Sequence, residues 1–222
     1  VRDDTDNGSI IECVQHRQGF KLGQVRKELR PWVTPATSSS YRPGVTAERV
    51  RKPEPSTADR QHVLAVWLKM QPIVGGHFFL ESERMLTRTT LADPRFSEMM
   101  RFDQRFNAVF PHYDRQGLAG FELKNKGFTG FSKHGIKAVW HSANLFTAPR
   151  VVIVESAIDG MSHAQLAGDL DTAYLSTGGS MSDHQRDLVR SALVRADKRG
   201  AEIVLGTDAD EAGRKLAEQL QE

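Results

Sequence analysis

The sharpest pattern of apolar and polar positions in this chain lies in residues 151–222. Val151-Val152-Ile153-Val154 is followed at once by Glu155. Ala173-Tyr174-Leu175 runs into Ser176-Thr177-Gly178-Gly179. Glu202-Ile203-Val204-Leu205 runs into Gly206-Thr207-Asp208-Ala209-Asp210 and then Glu211-Ala212-Gly213. Short β-branched runs bounded by Gly and Asp predict buried strands. Helix-period segments at Ala157–Ala167 and Asp183–Lys198 fill the gaps, and Glu211–Gln219 closes the series. Strand, helix, strand, helix, strand predicts a parallel sheet with helices on its faces. In such sheets ligands gather at the carboxyl ends of the strands, where Glu155, Asp208 and Asp210 fall.

The pattern before residue 151 is less regular. Ile10, Ile11, Val14, Phe20, Leu22, Val25 and Leu29 predict two short amphipathic helices around Gly19. Residues 31–58 form a linker: residues 31–59 hold five prolines and a Ser-Ser-Ser run. A helix is expected over Arg60–Met70, with Val63, Leu64, Val66, Trp67 and Met70 on one face and Asp59 at its start. Short helices are expected at Gly76–Leu86 and Pro94–Met100, with His77, Phe78 and Phe79 as core packing. Val109–Tyr113 and Ala119–Leu123 read as paired strands joined by Asp114-Arg115-Gln116-Gly117, and Lys137–His141 as one more strand.

Three carboxylates at one sheet edge repel and raise one another's pKa, a cost a divalent cation relieves. Hard oxygen ligands open to solvent suit Mg²⁺ (or Mn²⁺), which keeps waters and binds substrate phosphates. Asp208 and Asp210 share a face if the backbone is extended. Alone, an Asp-x-Asp serves equally well as a helix start. Glu155, on a separate strand end, favours the metal site. Lys124, Lys126, Lys133 and Lys137 are interleaved with Phe128 and Phe131. That mixture suits phosphate binding with base stacking, and equally suits a core covered by solvated lysines.

VVIVESAIDG at 151–160, LSTGG at 175–179 and VLGTDADEAG at 204–213 resemble the Toprim domain of DnaG-type primases, topoisomerases and some nucleases. The resemblance spans about the last 72 residues. It departs at Ser156, where primases have Gly, and its E-S-A-I-D-G form is closer to Toprim proteins of plasmids and relaxase-linked mobile elements. It implies catalytic Glu155 and Asp159, metal ligands Asp208, Asp210 and Glu155, and a basic floor preceding the domain. The fold it implies is α/β. A parallel-sheet, Rossmann-like Toprim domain over 151–222 follows a smaller α+β nucleic-acid-binding part over 59–150 that carries a basic β-hairpin. Residues 1–30 are similar to the helical tail behind a primase zinc ribbon, though Cys13 and His16 have no partner ligands. On this reading the ribbon lies upstream of Val1 and the Toprim domain continues past Glu222.

Composition narrows the function classes. No apolar run approaches the roughly 20 residues of a membrane span. A single cysteine excludes an internal disulfide and points to a reducing cytoplasm. Residues 151–222 hold 7 Lys/Arg against 13 Asp/Glu, and residues 1–150 hold 23 against 15. A basic half joined to an acidic half suits metal-assisted work on a polyanion. The leading expectation is a Mg²⁺-dependent primase-like nucleotidyltransferase, in DNA replication or plasmid mobilisation, that makes RNA primers on single-stranded DNA. Nucleotides are its substrates, and a helicase or relaxase is its implied partner. A Toprim nuclease and a non-catalytic accessory domain of a relaxase are the alternatives. No tyrosine has the context of a topoisomerase nucleophile, and no G-x-G-x-x-G follows Val154.

Overall fold

Val154 pairs with Ser176 on one side and Gly206 on the other, so three parallel strands end level. The computed structural model describes residues 17–19, 21, 24–25, 57–208, 211, 213–214 and 217–218. The chain divides into Val1–Lys52 and Pro53–Glu222. In the first unit Gln24 and Val25 donate backbone hydrogen bonds to Lys21, a helical start. The rest of the expected helical pair lies outside the described residues.

In the second unit α1 (Arg60–Leu68) is capped by Asp59, whose side chain accepts from His62 N–H. A five-stranded antiparallel sheet follows: β1 (Gln71–Pro72), β2 (Arg101–Phe102), β3 (Ala108–Asp114), β4 (Gly117–Asn125) and β5 (Phe128–Phe131), in that spatial order. The β3–β4 hairpin turns at Arg115-Gln116, and Gly117 takes a φ of +105°. α1 packs Val63 and Trp67 against Val109 and Phe121, while Leu64, expected on that face, is exposed. The second sheet holds β6 (Trp140–His141), β7 (Arg150–Val154), β8 (Thr172–Ser176) and β9 (Glu202–Gly206), in the order β6-β8-β7-β9. β7 lies between β8 and β9, parallel to both, and β6 adds an antiparallel edge to β8.

Side chains of β7 alternate between two cores, as a strand buried on both faces requires. Val152 and Val154 join Tyr174, Ile158 and Met161 of α3 (Ala157–Ala167), with Leu80, Phe96 and Phe110. Val151 and Ile153 join Ala173, Leu175, and Leu188 and Val189 of α4 (Asp183–Lys198). The fold is therefore the expected α/β arrangement, with an antiparallel sheet preceding the parallel one. No helix among the described residues is long and apolar enough to cross a membrane.

Further local expectations are corrected. Gly76–Leu86 is not an α-helix; its centre is a π-helix, Phe79–Glu83, followed by a short α2 (Arg88–Ala92). Pro94–Met100 is a run of turns. There the Asp93 carboxylate accepts Arg95 N–H at 2.8 Å, and this local bond competes with a helical start. The strand expected over Lys137–His141 shrinks to two residues. Side chains, not a neighbouring strand, bond the Ala138 carbonyl: His112 Nδ1 at 2.8 Å and Gln185 Nε2 at 2.6 Å. The grouping of His77, Phe78 and Phe79 as core also fails in part. His77 and Phe79 are buried, but Phe78 is 76% exposed.

Candidate functional site

The level ends of β8, β7 and β9 place Thr177, Glu155 and Thr207 side by side, with Asp208 one residue further on. Glu155 is half-buried and Asp208 exposed. Glu155 Oε1 accepts the Asp208 backbone N–H at 3.0 Å. The Glu155 carbonyl accepts from Ser176 Oγ at 2.9 Å and from Gly179 N–H at 3.0 Å. The Gly178-Gly179 turn thus fixes the strand end that presents the carboxylate. Both glycines have positive φ, and a Cβ on Gly178 would lie 3.2 Å from His112. A side chain there fits neither the backbone nor the space. Gly213 is constrained differently: a Cβ on it would overlap the Asp208 backbone.

Asp159 forms a capping box at the start of α3. Its Oδ2 accepts from Ser156 N–H at 3.0 Å and Ser156 Oγ at 2.7 Å, and Asp159 N–H donates back to Ser156 Oγ. The Ser156 departure from the primase pattern is therefore a capping residue that engages Asp159. Arg84 approaches Asp159 Oδ1 at 3.7 Å.

Arg84, Lys124 and Lys126 line one open cleft of about 590 Å³. Its walls include Ser156 and Ile158, so it opens beside the strand end that carries Glu155. Lys126 pairs with Glu83 at 2.7 Å, and Lys124 with the buried Glu122 at 3.0 Å. Lys137 donates to the Ser180 carbonyl at 3.1 Å. Burial lowers its pKa; nearby Glu122 opposes that shift and Lys124 adds to it. Lys133 lines a different hollow with Lys69 and Asp103. The four lysines do not form one floor. Nothing in the sequence around Arg84 marks it as a site residue. Its position after a π-helix is the structural signal, since such turns recur at functional sites.

His112 lies between this region and the Gly178 turn. It is 1% exposed, its Nδ1 bonds Ala138, and its Nε2 has no partner. Burial pushes its pKa down to about 4, and Lys137 and Lys124 act in the same direction.

Among the described residues no three His, Cys, Asp or Glu side chains form a metal-holding group. Asp210 lies outside the described residues. Glu155 and Asp208 nonetheless fit Mg²⁺ as a donor set. Both are hard oxygen ligands at one edge, and this ion commonly takes one or two carboxylates and fills its shell with water and phosphate.

Two comparisons with known families bear on this geometry. Residues 152–222 match the family described as Toprim-like, and residues 78–148 match a protein family of unknown function, DUF3991. No curated protein matches the chain. The chain therefore carries a Toprim-like domain over its parallel sheet, which supports a metal-dependent protein acting on DNA. The second match covers the π-helix, Arg84 and the basic hairpin, and ends before β7.

Proposed function

We propose that this chain is a primase-like nucleotidyltransferase, extending a ribonucleotide primer on single-stranded DNA. One observation carries the reading. The Glu155–Asp208 edge and the Arg84–Lys124–Lys126 cleft meet at the start of α3, so carboxylates and phosphate-binding cations serve one substrate. Arg84, Lys124 and Lys126 hold the phosphates of the DNA strand and of the incoming nucleotide. Glu155, with one oxygen held by Asp208 N–H, accepts through the other the proton of the primer hydroxyl as that hydroxyl displaces pyrophosphate from the incoming ribonucleotide. Asp159 acts as a positioning residue: through Ser156 it fixes the turn that follows Glu155. Asp208, beside the Glu155 carboxylate, would hold Mg²⁺ together with Asp210. When bound, that ion neutralises phosphate charge and polarises the phosphorus under attack.

The test supplies single-stranded DNA, Mg²⁺ and labelled ribonucleotides. Labelled oligomers made by the wild type and absent with Glu155→Gln support primer synthesis. Shortened DNA with no oligomers assigns cleavage instead. Neither product, with DNA binding retained, assigns an accessory domain.

A further inference from the structure

A second hollow, of about 370 Å³, adjoins the basic cleft and shares Phe79 and Asn125 with it. The chemistry above does not use it. Its walls are aromatic. Phe102 and Phe106 stack with centroids 5.7 Å apart and ring planes within 8°. Phe106 is 68% exposed and Phe78 76% exposed. Two phenylalanines open to water beside one hollow forgo the gain of burying their rings.

The backbone adds a second observation. Phe106 has φ of +56°, a region a bulky side chain rarely adopts. The surroundings enforce it. Asp103 accepts the N–H groups of Arg105 and Asn107 at 2.8 and 2.9 Å, and Asn125 Nδ2 donates to the Phe106 carbonyl at 3.1 Å. The loop is thus built to present this ring. Such backbone outliers cluster at ligand-binding sites.

His77 is the third. It is 6% exposed and its ring lies 6.2 Å from Phe102. Neither ring nitrogen meets a partner at hydrogen-bonding geometry, although the Phe106 backbone is near enough to act on its protonation. A buried polar group without a partner is destabilising, because it has lost water and gained nothing in exchange. A flat ligand with a polar edge matches both the aromatic walls and the unpaired imidazole.

We propose that this hollow takes an unpaired base of the DNA single strand whose backbone lies along Arg84, Lys124 and Lys126. The base stacks on Phe106 and Phe78, and His77 bonds its edge. The inference rests on the nucleic-acid reading above and gives it a strand specificity. In a duplex the base faces are already stacked, so only a single strand can offer one.

Binding of the full chain to a short oligothymidylate is compared by fluorescence anisotropy with binding to an abasic strand of the same length. The oligothymidylate binds about tenfold tighter to the wild type, the scale of one base–aromatic stack. Phe78→Ala and Phe106→Asn erase most of that ratio and leave abasic binding and its salt dependence unchanged. Both side chains are exposed, and Asn tolerates the Phe106 backbone, so circular dichroism of the variants stays that of the wild type. A wild type that binds both strands equally overturns the base pocket alone. A ratio preserved in both variants overturns it too, since the bases are then held elsewhere. Failure to bind either strand overturns the pocket together with the nucleic-acid reading.

Discussion

Glu155 accepts the backbone N–H of Asp208 at 3.0 Å, across 53 residues of sequence. This bond ties the end of β7 to the segment after β9, and so ties the proposed general base to the proposed metal ligand. Glu155→Gln keeps an acceptor for the N–H but removes the charge. It is expected to abolish product formation while the thermal midpoint stays within a degree or two, a contrast that scanning calorimetry beside the primer assay measures.

Asp159→Ala gives the opposite balance. It removes the reciprocal half of a capping box, and loss of a cap costs about 1 kcal/mol. Chemical denaturation is expected to show that loss. Product formation should fall only in part, because Asp159 acts through Ser156 rather than on substrate. Complete inactivation of a normally folded Asp159→Ala protein would instead put its carboxylate in the reaction.

Arg84→Ala tests the cleft. The Arg84–Asp159 pair is partly exposed and 3.7 Å long, so its removal changes stability by less than about 0.5 kcal/mol. Loss of one phosphate contact weakens DNA binding and lowers the slope of log K against log salt by about one. An unchanged slope would remove Arg84 from the DNA path.

His112 makes stability depend on pH. Its folded pKa of about 4 lies below the ordinary 6.5, so the unfolded chain binds a proton more readily. The stability tied to neutral His112 is complete above pH 6.5 and is lost as pH falls toward 4, on the order of 3 kcal/mol in all. Burial lowers His77 and His141 as well, with the same sign. Urea denaturation of the wild type at several pH values should show this acid slope. His112→Phe, which cannot titrate, should show a shallower one.

The parallel sheet was legible because its strands are buried on both faces and read as unbroken apolar runs ending in Gly, Asp or Glu. The β3–β4 hairpin was legible from Asp114 to Gly117, where the turn demands those residue types. β6 was not: a two-residue edge strand has no periodicity, and its register is set by Leu175 and Ser176 far along the chain. The π-helix at Phe79–Glu83 has no compositional signature either, so Arg84 and the exposed Phe78 were hidden inside an apparently helical stretch. Phe102 and Phe106 resemble core residues in sequence; only the φ of Phe106 shows that one is held outward. Among the site residues, Glu155 and Asp208 were placed by strand ends. The lysines were not separable by spacing, because Lys133 leaves the cleft by way of the turn after β5.

Mg²⁺ binding by isothermal titration calorimetry, on the wild type beside an Asp208→Ala/Asp210→Ala double variant, decides whether the carboxylate edge is a metal site. Saturable heat is expected for the wild type, enhanced when single-stranded DNA is present, and none for the variant. Equal titrations of the two proteins would contradict it: the aspartates would then serve only to begin the last helix, and the carboxylate edge would hold no metal.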